Sequence, residues 1–99
     1  MAWRVVWTEP AWSNLQAAAD YIAQDSPRYA SSLVREARDA SRSLARFANR
    51  GRVVPEIGNP DVRELFVWRY RLVYHVSDQE VEVLAFIHSA RDLAAALKP

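Results

Sequence analysis

Arginine is the residue type with the greatest chemical capacity in this sequence. Of the 13 basic side chains, all are arginine except Lys98. The planar guanidinium suits the recognition of phosphate and carboxylate groups, although a codon bias of the genome would give the same composition. His75 and His88 are the only histidines and cysteine is absent, which excludes thiol catalysis and Cys-ligated zinc. A glycine-rich phosphate loop is also excluded, since Gly51 and Gly58 are the only glycines, and we predict no metal or cofactor.

The composition predicts one small domain over residues 1–99. Hydrophobic residues make up 51% of the chain, enough for a packed core. The formal net charge of +1 argues against a protein that coats nucleic acid, and no direct sequence-specific DNA binding is predicted. No apolar run approaches the ~20 residues of a membrane span, and the first residues are too mixed for a signal peptide. Since cysteine is also absent, we expect a cytoplasmic protein.

The periodicity of the apolar residues predicts two helices after a first strand at residues 3–7. Thr8 is placed to cap the first helix, and Ser26 followed by Pro27 is placed to begin the second. The second helix is expected to run to about Ala48. Its predicted core face comprises Leu33, Ala37, Ala40, Leu44 and Phe47.

From residue 52 onward the apolar pattern alternates, which is typical of strands. A short extended piece at residues 53–54 is followed by strands at 62–67, 70–76 and 81–87 and a brief helix after residue 91. We therefore expect an α+β fold. It comprises a strand, a two-helix hairpin and a three-stranded antiparallel meander that forms one sheet with the first strand, followed by a short C-terminal helix.

Placing residues 68–69 and 78–79 at two hairpin tips defines the strand register. The predicted cross-strand pairs are Val67–Tyr70, Leu65–Leu72, Arg63–Tyr74, Val76–Val81, Tyr74–Val83, Leu72–Ala85, His75–Glu82 and Arg71–Phe86. One sheet face is then apolar and is expected to pack against the helices. The other is mixed and is predicted to be a docking surface, with an ordinary half-solvated face as the alternative. Its predicted members are Glu64, Phe66, Arg71, Val73, His75, Leu84, Phe86, His88, Arg91 and Asp92.

Three further features have both a binding and a structural interpretation. The arginines on the outer side of the second helix, which are Arg35, Arg38, Arg42 and Arg46, form either a contact for an acidic segment or a solvated face. Asp39 lies at helical spacing to pair with two of them. Trp68, at a hairpin tip, is a candidate anchor for a partner or packs against Trp3 or Trp7. Arg71 and Asp92 would have a structural role if they formed an ion pair.

Four segments together resemble the ParE/RelE superfamily, the toxins of bacterial type II toxin–antitoxin systems. They are VRELFV at residues 62–67, YRLVYHV at 70–76, GRVVPE at 51–56 and IHSARDL at 87–93. The resemblance covers essentially the whole chain. It implies growth arrest or plasmid stabilisation by a toxin in a hetero-oligomer with a ParD- or RelB-like antitoxin, typically encoded by the neighbouring gene. It also implies that the two leading helices bind the antitoxin.

Two activities are known in that superfamily. RelE-like members cleave messenger RNA on the ribosome, whereas ParE-like members inhibit DNA gyrase. The resemblance matches Arg71 and Arg91 to arginines of the RelE-like nucleases, where they could stabilise the charge of the cleavage intermediate. His88 could act as the acid or base.

The sequence departs from the RelE-like pattern at its end. Residues 92–99 contain neither tyrosine nor histidine, and the chain lacks the lysine-rich, basic character of a nuclease that docks onto ribosomal RNA. We therefore expect a ParE-like gyrase inhibitor that is not an enzyme. A ribosome-dependent messenger endonuclease and an inactive relative that binds antitoxin remain the alternatives.

Overall fold

The computed structural model describes residues 2–97, and its elements follow the predicted order. Strand β1 covers Arg4–Trp7, helix α1 Glu9–Ala23 and helix α2 Pro27–Ser43. The later elements are β2 (Arg52–Val53), β3 (Val62–Val67), β4 (Tyr70–Val76), β5 (Glu80–His88) and α3 (Leu93–Ala96). The predicted α+β fold is confirmed. The single domain over residues 1–99 stays a prediction, with residues 1, 98 and 99 outside the described range.

Within residues 2–97, the five strands form one mixed sheet. Its order is β1-β5-β4-β3-β2, with β1 parallel to β5 and antiparallel pairing elsewhere. The extended piece predicted at residues 53–54 is the edge strand β2, one residue earlier than expected. The sheet therefore brings the first strand against the last one, beside the meander.

Side-chain caps begin both long helices where the sequence predicts them. Thr8 Oγ1 accepts a hydrogen bond from the backbone N–H of Ala11 at 3.3 Å, and Ser26 Oγ accepts one from Tyr29 at 3.2 Å. The Thr8 hydroxyl also donates to the carbonyl of Val83 at 2.8 Å. The start of α1 is thereby attached to the last strand, and the helical hairpin follows directly from the sheet.

Helix α2 ends at Ser43, five residues before the predicted end at Ala48. The hydroxyl of Ser43 donates to the carbonyl of Ala40 at 2.6 Å and accepts a bond from Arg50 at 2.6 Å. Serine hydroxyls that bond nearby carbonyls compete with the helical ladder, and tight turns follow instead. The prediction that Phe47 lies on the core face is therefore wrong, and its side chain is 65% exposed.

Hydrophobic residues are buried on both faces of the sheet. The face beneath α1 and α2 forms the main core, which includes Leu15, Leu33 and Leu72. A second, smaller core covers the opposite face with Val54, Val62, Val73, Ala85, Ile87 and Leu93. The loop after β2 and helix α3 close this second core, so the centre of the face predicted to be open is covered.

Tyr74 connects the sheet to the segment that follows α2. Its buried hydroxyl donates to the carbonyl of Ala48 at 2.8 Å and accepts a bond from the backbone N–H of Gly51 at 3.0 Å. A Cβ at residue 51 would lie 2.5 Å from the carbonyl oxygen of Glu64 and 2.6 Å from the Tyr74 hydroxyl. Glycine is thus required at this position by the close approach of two chain segments.

The predicted register is correct for β3–β4 and for the first part of β4–β5. The pairs Val67–Tyr70, Leu65–Leu72, Arg63–Tyr74, Val76–Val81, Tyr74–Val83 and His75–Glu82 are observed. A bulge opposite Val73 and Tyr74 then shifts the rest of β5 by one residue. Leu72 consequently faces Phe86, and Arg71 faces Ile87, which corrects the predicted pairs Leu72–Ala85 and Arg71–Phe86.

Candidate functional site

The bulge changes which residues of the predicted docking surface are accessible. Phe86 points into the main core instead of the opposite face, because a shift of one residue reverses the direction of a side chain. Glu64, Arg71 and Val73 lie on the predicted face but are buried, and Val73 is itself part of the second core. These four assignments to an open surface are wrong. The exposed or half-exposed members are Phe66, His75, Leu84, His88, Arg91 and Asp92.

Arg71 is the centre of an ion network formed by Arg52, Glu56, Glu64 and Arg71, in which Glu64 and Arg71 are buried and the other two are about half exposed. Its Nη1 and Nη2 donate to the two carboxylate oxygens of Glu56 at 2.6 and 2.9 Å. Its Nε donates to Glu64 at 2.5 Å, and the second oxygen of Glu64 accepts from Arg52 at 2.7 Å. Each nitrogen of the Arg71 guanidinium therefore donates to a carboxylate, the geometry in which Arg–carboxylate pairs are strongest.

The network also shifts the pKa values of Glu56 and Arg71. The hydrogen bond from Arg71 lowers the pKa of Glu56 from 4.5 to about 2. In return, the hydrogen bond to Glu56 raises the pKa of Arg71, and Glu64 adds to this effect. Glu56 was not among the residues predicted from the sequence to form a site. It lies in the loop after β2, and its pairing with β4 has no local sequence signal.

We expect this pairing to give the protein an acid-sensitive stability. Since folding depresses the pKa of Glu56, its contribution is complete above about pH 4.5 and is lost as the pH falls toward 2. Denaturant midpoints measured between about pH 5 and pH 3 should fall more steeply for the wild type than for Glu56→Gln. The effect should be modest because this carboxylate is half exposed. Parallel pH profiles would contradict it.

The three residues of the predicted nuclease set are not assembled into one site. Neighbouring residues of a strand point to opposite faces, so Tyr70 and Arg71 lie on different sides of the sheet. The His88 ring contacts the Tyr70 ring edge-on, with 5.6 Å between centroids, on the side of the helices. Arg71 lies on the other side of the sheet, where it is buried against Glu64 and Glu56. Arg91 is exposed, and its backbone N–H donates to the carbonyl of His88 at 2.9 Å.

A groove runs between α1 and α2 on the outer side of the helical hairpin. We call it the hairpin groove; its volume is about 550 Å³. Its apolar lining is Ala19, Ala23, Ala30 and Val34, and its charged lining is Arg35, Arg38, Arg42, Asp20 and Asp39. Arg42 pairs with Asp39 at 3.2 Å, and both side chains are exposed. The small residues of this lining were not identified from the sequence, although alanines four residues apart are a signal for such a groove.

Two other predicted binding residues lie away from the hairpin groove. Arg46 follows the end of α2 and does not line the groove, which corrects its assignment to the arginine stripe of the helix. Trp68, at the tip between β3 and β4, is 42% exposed and has a left-handed backbone with a φ of 53°. Its indole N–H donates to Glu36 at 2.9 Å. Trp68 thus contacts α2 and leaves part of its ring accessible.

Comparison with known proteins agrees with this fold. A model of the family described as ParE toxin of type II toxin-antitoxin system, parDE, matches residues 5–93. The chain belongs to the ParE toxin family. Toxin RelE2 of Caulobacter vibrioides is 37% identical to this ParE-family chain over 89 residues, which are 89% of this chain and 97% of the relative.

A solved structure described as the chromosomal ParDE TA system from P. aeruginosa contains a similar chain. Its TM-score to this ParE-family chain is 0.72 at 26% sequence identity, with coverage of 88% of this chain and 96% of the other. The resemblance to the ParE/RelE superfamily is confirmed by these matches. The chain is a ParE/RelE-family toxin of the type II toxin–antitoxin class.

In the described part of this ParE-family chain, no helix combines the length and apolar character needed to cross a membrane. Over the same residues, no group of three or more histidine, aspartate or glutamate side chains is arranged to hold a metal ion.

Proposed function

We propose that this ParE-family toxin inhibits DNA gyrase when free and is neutralised by direct binding of its antitoxin. The observation that carries the choice of a ParE-like over a RelE-like activity is the pairing of Arg71. A guanidinium that stabilises a cleavage intermediate must have donors free for phosphate oxygens. Those of Arg71 are bonded to Glu56 and Glu64.

The position of His88 supports the same choice. General acid–base catalysis needs the acid or base within hydrogen-bond reach of the reacting atoms that the cations stabilise. In this fold His88 and Arg71 project from opposite faces of the sheet. A ribosome-dependent nuclease that used both residues would require the ion network and the end of β5 to rearrange together.

Antitoxin binding is supported by the hairpin groove and by the similar ParDE system. An apolar lining between two helices fits the apolar stripe of an amphipathic segment. The arginines around it would attract acidic residues beside that stripe, and this attraction would weaken with salt. We therefore assign the antitoxin contact to the part of the helical hairpin lined by Ala19, Ala23, Val34, Arg38 and Arg42.

Pulse labelling tests the proposed target. After induction without antitoxin, thymidine incorporation should fall early while methionine incorporation continues, and the purified toxin should inhibit supercoiling by gyrase. An early loss of methionine incorporation, with messenger cleavage that disappears in His88→Ala, would support the endonuclease instead. Continued incorporation of both labels would indicate an inactive relative that only binds antitoxin.

Charge reversal tests the hairpin groove. The double variant Arg38→Glu, Arg42→Glu should weaken antitoxin affinity by about tenfold or more at low salt, because it places anions where acidic residues dock. Arg46→Glu is the matched control, since this exposed arginine lies outside the groove. Calorimetric titration at two salt concentrations measures both affinities. Equal affinity of wild type and double variant at low salt would remove the groove from the antitoxin interface.

A further inference from the structure

A second groove lies between α1 and the end of β5, on the side of the sheet that packs against the helices. We call it the strand-end groove; its volume is about 380 Å³. It is lined at one end by Ala17 and Tyr21 of α1 and at the other by Tyr70, His88 and Arg91. The nuclease interpretation places His88 and Arg91 in one site with Arg71. Arg71 does not line this groove, so that interpretation does not explain why His88 and Arg91 lie together here.

Aromatic rings form one side of the strand-end groove. The Tyr70 ring stacks on Phe86 with 5.0 Å between centroids and 11° between planes, and His88 meets its edge. Burial raises the pKa of Tyr70, and the nearby phenol of Tyr21 raises it further. Tyr21 itself is 70% exposed. A large aromatic side chain that borders a groove and stays exposed is a typical anchor of a binding surface.

The polar groups of the strand-end groove are suited to an anion. Its lining contains no aspartate or glutamate. The side-chain oxygen of Asn14 accepts a bond from the Phe86 N–H at 3.1 Å, which directs the amide N–H donors elsewhere. The Nδ1 of His88 accepts a bond from Ala90 at 3.1 Å, so Nε2 carries the proton of the neutral ring. Among residues 2–97, Arg91 forms no ion pair.

We propose that the strand-end groove binds a segment of the antitoxin in which a carboxylate is adjacent to an apolar or aromatic side chain. The carboxylate pairs with Arg91, and the neighbouring side chain packs between Tyr21 and Tyr70. This inference rests on the proposed neutralisation by an antitoxin and adds a second contact region to it.

The charge of the groove favours a peptide over a nucleic acid. One guanidinium is enough for one carboxylate, whereas a polynucleotide needs several cations along its backbone. The chain as a whole has a formal net charge of only +1. The groove therefore offers a stacking surface and a single anion site, which matches a short acidic and aromatic peptide motif.

The two grooves share helix α1. Ala19, Asp20 and Ala23 line the hairpin groove, while Ala17 and Tyr21 line the strand-end groove. Successive residues of an α-helix point about 100° apart, so these two sets of residues place the grooves on opposite flanks of α1. A single antitoxin chain can cross α1 and occupy both, which would increase its affinity through the linkage of two weak contacts.

Affinity measurements with matched variants test this inference. The probe is the antitoxin encoded by the neighbouring gene, titrated calorimetrically into full-length toxin refolded from their complex. Tyr21→Ala and Arg91→Glu should each weaken binding by about tenfold. Tyr29→Ala and Arg46→Glu should change it by less than about twofold, because Tyr29 is a similarly exposed helical tyrosine (64%) and both residues lie outside the two grooves.

The side-chain NMR signals of the two histidines provide an independent readout. His88 borders the groove and His75 lies on the opposite sheet face, so antitoxin should shift the signal of His88 and not that of His75. Unchanged affinity in both Tyr21→Ala and Arg91→Glu would overturn the inference while leaving antitoxin binding intact. A wild-type toxin that does not bind the antitoxin would overturn the proposed neutralisation as well. The strand-end groove would also not be an antitoxin site if it bound a single-stranded RNA decamer, this binding were lost in Arg91→Glu, and the antitoxin affinity of that variant were unchanged.

Discussion

Replacing Glu64 by glutamine is expected to lower the free energy of unfolding by about 3–5 kcal/mol. The Glu64 side chain is fully buried, and its two carboxylate oxygens accept bonds from Arg71 and Arg52. The amide removes the charge and turns N–H donors toward one of these guanidinium groups. Arg71 then stays buried with Glu56 as its remaining anion. Urea unfolding followed by tryptophan fluorescence measures the loss.

A second ion pair serves as the control for this prediction. Glu80 accepts a bond from Arg4 at 2.5 Å, the same distance as the Glu64–Arg71 bond, but the two side chains are 31% and 79% exposed. Solvent screens such a pair, so Glu80→Gln should cost less than about 1 kcal/mol. Equal costs for the two variants would show that burial does not determine the strength of these pairs.

Replacing Phe86 by alanine should cost about 3–5 kcal/mol, through lost burial and the cavity that remains. Phe86 is buried in the main core, where its ring stacks on Tyr70 and lies 6.3 Å from the Trp7 ring. This prediction depends on the bulge, because the uninterrupted register would place Phe86 on the opposite face. Chemical denaturation gives the change in stability.

Phe66→Ala is the matched control for the core prediction. Phe66 is 55% exposed on β3, and the Arg52 guanidinium lies 5.2 Å from its ring centroid. Removing this ring takes away little buried apolar surface and one exposed cation–π contact. The free energy of unfolding should therefore fall by less than about 1 kcal/mol. If Phe86→Ala cost no more than Phe66→Ala, the burial of Phe86 in the main core would be contradicted.

The elements and hairpins of this protein could be predicted because their signals are local. Thr8 and Ser26 cap helices through bonds to residues three positions later, and the apolar alternation fixed the β3–β4 register. The bulge in β5 has no comparable signal, since residues 83–85 are apolar and contain neither glycine nor proline. The extra residue is revealed only by the packing on both faces of the sheet. This is why Phe86 was assigned to the wrong face.

The candidate site was less predictable because its partners are distant in sequence. Arg71 was identified by its strand motif, with Asp92 considered as its partner. Its observed partners are Glu56, 15 residues earlier, and Glu64, seven residues earlier. The cross-strand neighbour of Arg71 is Phe66, and the diagonal position brings in Glu64. Only the path of the loop after β2 brings Glu56 to the same guanidinium.

The parallel pairing of β1 with β5 has a consequence for how the toxin is made. Arg4 is aligned with Glu80 and Trp7 with Val83, so the first strand obtains its sheet partner only after residues 80–88 have been synthesised. Contacts between such distant segments form late in folding. On the ribosome, β1 therefore lacks its sheet partner, and the main core is incomplete, until β5 has been synthesised. The five-stranded sheet is therefore completed only once β5 is in place between β1 and β4.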